Sequence, residues 1–114
     1  MNRYKLTKAG VDVNQGLKRL DNNKEFYEEL LVKFCEDTHF EKMVSAMNAG
    51  DVQEAFQCAH AVKGAAGNLS MTRLYTELVP LVDALRKNDF QQARQLLPAT
   101  QEAYTAAVNA ISGD

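Results

Sequence analysis

Residues 51–70 read DVQEAFQCAHAVKGAAGNLS, and this stretch decides the fold class. Asp51 and Glu54 form a start similar to a capping box, with Asp in place of the usual Ser or Thr. Behind this start, apolar residues recur at the spacing of one helix face: Val52, Ala55, Phe56, Ala59, Val62, Ala66 and Leu69. The pattern predicts an amphipathic helix with one buried face and one open face.

Two helical segments are predicted before residue 51. Residues 11–20 are typical of a short helix that covers the core. A long helix follows from Lys24 to about Ala49, with an apolar stripe at Phe26, Leu30, Phe34, Val44 and Met47. Because THFE at residues 38–41 is a capping-box pattern, this helix is either continuous, kinked near Thr38, or replaced there by a new helix.

Two more helical segments follow residue 70. Ser70 is placed to cap the first, which carries Leu74, Leu78, Leu81 and Leu85. Asp89 is placed to cap the last, which carries Phe90, Ala93, Leu97, Tyr104, Ala107 and Ile111. Pro80 and Pro98 lie inside these patterns and are expected to kink both helices; in the alternative, Pro80 begins a new turn.

Four amphipathic segments with short connections predict an all-α fold. The expected architecture is an up-down-up-down antiparallel four-helix bundle with a short N-terminal cover helix. A length of 114 residues, of which 46% are hydrophobic, suits one domain over residues 1–114. Within it we expect a loose leader at residues 1–10 and a core at about 11–111.

Charge and composition narrow the range of partners. Thirteen Lys and Arg residues against fifteen Asp and Glu residues give a net charge of −2, without the basic excess that nucleic acid requires. No apolar run approaches the roughly 20 residues of a membrane span, and the polar N-terminus is not a signal peptide. Cys35 and Cys58 are isolated, so we expect reduced thiols in a cytoplasmic protein. No feature indicates a dimer, and a monomer is expected.

The open face of the helix predicted after residue 51 carries an unusual set of residues. His60 points roughly 120° away from the apolar stripe, with Gln53, Gly64 and Gly67 beside it and Lys63 at its flank. Each glycine costs about 1 kcal/mol in a helix interior, so either a neighbouring helix or a partner must approach closely there. A neutral imidazole has a free lone pair that can accept a phosphoryl group, and an adjacent ammonium can hold the resulting anion.

This pattern resembles a known family. Residues 60–69, HAVKGAAGNL, are similar to the signature of histidine-containing phosphotransfer (HPt) domains of two-component phosphorelays. The resemblance extends over about residues 11–111 and includes GVDV at 10–13, GLKRL at 16–20, FYEELLVKF at 26–34 and Gly50-Asp51. It implies that His60 is the phosphorylated residue, that Lys63 assists the phosphoryl group, and that Gly64 gives a receiver domain room to approach.

The resemblance also implies a function and partners. The chain would take a phosphoryl group from an aspartate of one receiver domain and pass it to another response-regulator receiver. Its partners would be such receivers and a hybrid sensor histidine kinase. The receiver would bring the Mg²⁺, so no cofactor is expected on this chain. The candidate docking residues are Gln53, Phe56, Gln57, Gly64 and Gly67.

Two positions depart from the family pattern. Many members carry Gln or Glu 22 residues after the histidine, where the side chain can orient the ring, and this chain has Val82 there. Asp83, a backbone carbonyl or water could serve instead. Ser70 stands where the family often has Gly. The Val82 departure supports an alternative, a helical adaptor that binds receivers without carrying phosphate.

Other chemistry is not indicated by the sequence. Glu36 and His39 have the ExxH spacing of di-iron bundles, but the second copy that such a site needs is missing, so no metal site is expected. Neither a GxxxxGK[ST] loop nor GxGxxG occurs, so no ATP-binding motif is recognisable. The chain is therefore predicted to be a phosphocarrier and not an enzyme.

Overall fold

A computed structural model describes residues 1–113 of the chain. Those residues form seven helices and no strand: α1 (Arg3–Lys8), α2 (Val13–Arg19), α3 (Lys24–Glu36), α4 (His39–Asn48), α5 (Val52–Asn68), α6 (Thr72–Arg86) and α7 (Phe90–Ser112). The predicted all-α class is confirmed. The predicted domain end at Asp114 lies outside the described residues.

The helices pack largely in chain order. Helix α4 packs against α5, α5 against α6, and α6 against α7, while α3 lies on α7. The connections at residues 49–51, 69–71 and 87–89 are short, so each of these helices returns alongside the one before it. The result is a helical bundle, and the up-down-up-down order of four helices stays a prediction. None of the helices in the described residues combines the length and apolarity needed to span a bilayer.

All seven helices contribute buried residues to the core. On α5, Ala55, Ala59 and Ala66 are all fully buried, as the apolar stripe predicts. These small side chains let α4 and α6 pack closely on α5. On α3, the buried face runs through Tyr27, Leu31 and Phe34. Phe26, which the predicted stripe included, is exposed.

The long helix predicted over residues 24–49 is two helices, α3 and α4. The alternative of a new start near Thr38 is therefore correct. Asp37, rather than Thr38, provides the hydrogen bonds: its Oδ1 accepts from the His39 backbone N–H at 2.7 Å and lies 2.7 Å from the His39 ring Nδ1. Burial alone would raise the pKa of Asp37, but these hydrogen bonds and nearby positive charge outweigh it and lower the pKa.

The N-terminal residues are better ordered than the sequence suggests. The expected loose leader at residues 1–10 is wrong for Arg3–Lys8, which forms α1 and packs against α7. Leu6 is buried there, and the Asn2 side chain caps the helix by accepting from the Lys5 N–H. The expected cover helix is present as α2.

Hydrogen bonds join the segment before α2 to the connection between α5 and α6. The Asp12 N–H donates to the Ser70 carbonyl at 2.8 Å. The Gly10 carbonyl accepts from the Arg73 N–H at 3.1 Å and from the Thr72 hydroxyl at 2.9 Å. These bonds hold the start of the cover helix against one end of α5 and α6.

Tyr27 attaches α3 to the same connection. Its hydroxyl donates to the Leu69 carbonyl at 2.7 Å. A Cβ on Gly16 would lie 2.5 Å from the Tyr27 ring, so a glycine is needed where α2 crosses that ring. Burial raises the pKa of Tyr27 to about 12, and the charge of Asp12 acts in the same direction.

Ser70 does not cap α6, contrary to the prediction. The N-cap position belongs to Met71, and Ser70 follows α5 with a φ of +57°. The residue is 2% exposed, and its hydroxyl has no hydrogen-bond partner among the described residues. A left-handed backbone at the end of a helix favours glycine, which accounts for the Gly expected at this position from the resemblance.

The two prolines of the chain both lie inside helices. Pro80 and Pro98 lie inside continuous helices, α6 and α7, so the alternative in which Pro80 is the first residue of a new turn is wrong. A kink at either proline stays a prediction.

Cys35 and Cys58 are free thiols, and burial is the main cause that raises the pKa of both. Both thiols are therefore protonated and weakly nucleophilic at neutral pH.

Candidate functional site

His60 lies on the exposed side of α5, opposite the buried face of that helix. The helix begins at Asp51, whose carboxylate accepts a hydrogen bond from the Glu54 N–H at 3.1 Å. Ala59, the residue before His60, is fully buried. The buried stripe therefore fixes the rotation of α5 and presents His60 outward, as the helical wheel predicts.

The His60 ring lies against the Phe56 ring and makes no hydrogen bond within residues 1–113. Its centroid lies 5.9 Å from that of the Phe56 ring, one turn earlier on α5, and the two planes are 26° apart. Within residues 1–113 neither ring nitrogen has a hydrogen-bond partner. The lone pair of a neutral imidazole is therefore open to an electrophile.

Neither Val82, at the family's orienting position, nor its neighbour Asp83 forms a hydrogen bond with the His60 ring within residues 1–113. Val82 is fully buried in the core. Asp83 accepts instead from Lys87, with its Oδ2 3.0 Å from Nζ. That hydrogen bond is the main cause that lowers the pKa of Asp83, and desolvation raises the pKa by less. The positive charges of Lys87, Arg86 and Lys63 lower the pKa further. The alternative in which Asp83 orients His60 is therefore wrong.

Lys63 lies three residues after His60 on α5 and is half-buried. Its ammonium forms no ion pair within residues 1–113. Residues three apart on a helix are neighbours on its surface, so an anion attached to the imidazole would come within reach of Lys63. Charge-assisted hydrogen bonds of this kind are about twice as strong as neutral ones.

The two glycines of the HAVKGAAGNL signature have different surroundings. A Cβ on Gly67 would lie 3.1 Å from Cε2 of Tyr75, so close packing inside the fold explains this glycine. At Gly64, no atom of residues 1–113 other than its own helix backbone and chain neighbours lies within 4 Å of the Cβ position. The fold therefore gives no packing reason for Gly64, and it leaves open space beside His60.

An open cavity of about 530 Å³ lies next to His60. One wall is α5, with His60, Lys63 and the two glycines, and the other is the cover helix α2 with Gln15 and Arg19. Ser70, Met71, Thr72 and Tyr75 close the far end. Among the described residues that line the cavity none is acidic, while Arg19 and Lys63 carry positive charge. The cavity is therefore suited to an anion.

A model of the Hpt domain family matches residues 29–110 of the chain. The chain belongs to the Hpt domain family. Hpt domains mediate histidine phosphotransfer in two-component phosphorelays, where they interact with receiver domains and kinases. They are phosphocarrier modules rather than typical enzymes. No curated protein and no solved structure matches the chain.

In this Hpt domain the structure brings together only part of the residue set predicted from the sequence. His60, Lys63, Gly64 and Gly67 border the same cavity. Gln53 and Gln57 are exposed on earlier turns of α5, outside that cavity, and Phe56 is half-buried with its ring against His60. Their part in docking stays a prediction.

Gln15 and Arg19 of the Hpt domain were not singled out in the sequence. They lie far from His60 along the chain, and no local spacing relates a residue of α2 to one of α5. Both also fall outside the residues that the family model matches. Only the cavity itself reveals that α2 contributes to the site.

The possible metal ligands of this Hpt domain do not form a cluster of three within residues 1–113. Within residues 1–113 no three side chains of the His, Cys, Asp or Glu type are placed to hold an ion. His39, the histidine of the ExxH motif, lies against Asp37 at the start of α4.

Proposed function

We propose that His60 is the phosphoacceptor of this Hpt domain. The imidazole lone pair attacks the phosphorus of an aspartyl phosphate on a receiver domain, the bond from phosphorus to the carboxylate oxygen breaks, and the carboxylate leaves. A second response-regulator receiver then takes the phosphoryl group from the ring nitrogen onto its own aspartate. The observation that carries this proposal is the exposed, unbonded His60 ring beside Lys63 and the open space at Gly64.

Lys63 and the receiver domain both stabilise the negative charge of the phosphoryl group. The Lys63 ammonium holds the phosphoryl oxygens once the group is on the ring. The receiver supplies the Mg²⁺ and the aspartate, so this chain needs no cofactor of its own. Gln53, Phe56, Gln57, Gly64 and Gly67 form the proposed docking surface.

The proposed setting is a phosphorelay in the cytoplasm. The chain, one domain over residues 1–114, acts there as a monomer. It accepts its phosphoryl group from the receiver of a hybrid sensor histidine kinase. Complexes with receivers are transient and small, since the phosphoryl group must be both accepted and released.

The test uses phosphoramidate, a small phosphoryl donor, and phosphorylated receiver domains. Intact-mass spectrometry is expected to show the gain of one acid-labile phosphoryl group in the wild type and none in His60→Gln. His39→Gln is the matched control, because the chain has two histidines, and it should be phosphorylated like the wild type. An adduct that persists in His60→Gln, or none in a folded, helical wild type, would contradict the proposal.

The adaptor is the second candidate, and one observation favours it. Val82 is buried where many relatives are expected to carry a side chain that orients the histidine. An adaptor would bind receivers equally well before and after His60→Gln, and neither form would gain a phosphoryl group. Binding by calorimetry beside the mass measurement separates the two functions.

A further inference from the structure

Three side chains are stacked along the outer edge of α5 and α6. Cζ of Arg86 lies 5.5 Å from the centroid of the Phe56 ring. The opposite end of the stack is His60, whose ring centroid lies 5.9 Å from that of Phe56. Phe56 is half-buried and packs against the core, so it is the fixed member of the three.

The guanidinium end of this stack is attached to α6. Arg86 Nη1 lies 3.4 Å from Oδ1 of Asp83, whose other oxygen is 3.0 Å from Lys87 Nζ. Both ion pairs are exposed and contribute little to stability. The pair with Asp83 joins Arg86, the cation over Phe56, to its own helix α6.

We propose that Phe56 is the positioning residue of His60, a role that rests on the phosphoacceptor function proposed above. An exposed imidazole without a hydrogen bond rotates among several rotamers. A fixed aromatic neighbour favours the rotamer in which the His60 ring stacks on Phe56, and in this rotamer neither ring nitrogen has a hydrogen-bond partner within residues 1–113. A hydrogen bond from a side chain at position 82 would restrict the orientation of the His60 ring. The stack on Phe56 has the same effect, because it orients the ring before the phosphoryl donor binds.

Two other roles for Phe56 predict different results. If Phe56 only fills the core, its loss lowers stability without changing His60. If it only docks receivers, its loss weakens receiver binding but leaves the reaction with a small donor unchanged. Phosphoramidate therefore separates positioning from docking, because it does not need the docking surface.

The experiment compares Phe56→Leu, Phe56→Tyr and Phe90→Leu. Phe90 is the matched control: it is also half-buried, also lies under an arginine (Arg94, 5.7 Å), and has no ring contact with His60 within residues 1–113. Two quantities are measured for each variant, the rate of phosphorylation by phosphoramidate and the NMR three-bond couplings that report the χ1 rotamer of His60. Thermal melting reports whether each variant is folded.

Phe56→Leu is expected to slow phosphorylation about threefold and to move the His60 χ1 couplings toward rotamer-averaged values, because the aromatic contact that favours one rotamer is lost. Phe56→Tyr should restore both, whereas Phe90→Leu should change neither even if it melts earlier. A Phe56→Leu variant with unchanged His60 couplings or the wild-type rate would overturn the proposal. If the wild type accepts no phosphoryl group, the proposed function fails, and the couplings alone then decide whether Phe56 orients the ring.

Discussion

Gly64 is the residue whose presence the fold explains least. A glycine in a helix interior costs about 1 kcal/mol relative to alanine, and here no neighbour on another helix needs the space. Gly67, three residues later, has Tyr75 against it. The proposed approach of a receiver domain beside His60 would account for a glycine at this position.

We therefore expect Gly64→Ala to raise the stability of the protein and Gly64→Glu to slow phosphoryl transfer from a receiver domain. Gly64→Ala should raise the free energy of unfolding by about 1 kcal/mol, measured by urea denaturation, since the added methyl group meets open space. Gly64→Glu should leave the protein folded and slow transfer from a phosphorylated receiver at least tenfold. Phosphoramidate, which needs no docking, should react with Gly64→Ala at the wild-type rate. A Gly64→Glu variant that accepts from receivers at the wild-type rate would exclude close approach at this face.

At the scale of the elements, the connection between α5 and α6 contains a strained residue. Ser70 has a φ of +57°, which costs a residue with a Cβ about 1 kcal/mol. Its buried hydroxyl also lacks a hydrogen-bond partner within residues 1–113. Such a group costs about 1–3 kcal/mol more.

Ser70→Gly should remove both costs and raise the free energy of unfolding by about 2 kcal/mol. Asn88→Gly is the control, because Asn88 has a similar φ of +61° but is exposed. It should gain less, since no buried polar atom is removed and Asn tolerates this backbone. Both values come from urea denaturation. A Ser70→Gly variant no more stable than the wild type would mean that the hydroxyl does have a partner, such as a buried water molecule.

Across the whole molecule, the fold class and the centre of the site could be predicted from sequence, and the details at helix ends could not. His60, Lys63 and Gly64 lie on one helix, so helical periodicity alone places them on one face. Arg19 needs the packing of α2 on the bundle, which local spacing does not encode. Ser70 was assigned as a cap because capping rules use residue type, whereas its role depends on a backbone angle.

The stability of the whole molecule is expected to fall at alkaline pH because of Tyr27. The pKa of this phenol is about 12 in the folded protein and 10.0 as its ordinary value. The contribution is therefore fully present below pH 10 and is lost as the pH rises through about 12, since only the unfolded chain releases the proton in between. Two pKa units correspond to roughly 3 kcal/mol.

Urea denaturation between pH 8 and about pH 12 measures this loss, with Tyr27→Phe as the variant and Tyr4→Phe as the control. Tyr4 is exposed at 69%, so its removal should leave the pH dependence unchanged. Tyr27→Phe should be less stable than the wild type at pH 8, where the bond to Leu69 is lost, and the difference should shrink as the pH rises. Equal pH dependence in all three proteins would show that Tyr27 is not the cause.

The hydrogen bonds that hold the cover helix also determine which residues must be transferred together if the site is moved into another protein. A transplant of residues 29–110, the part that the family model matches, would carry His60 and Lys63 into another protein. It would leave behind Arg19, which lines the cavity, together with the groups of Gly10, Asp12 and Tyr27 that bond to residues 69–73. The graft would keep His60 and lose the opposite side of its cavity, so an exchange of Hpt domains between signalling proteins should include the cover helix.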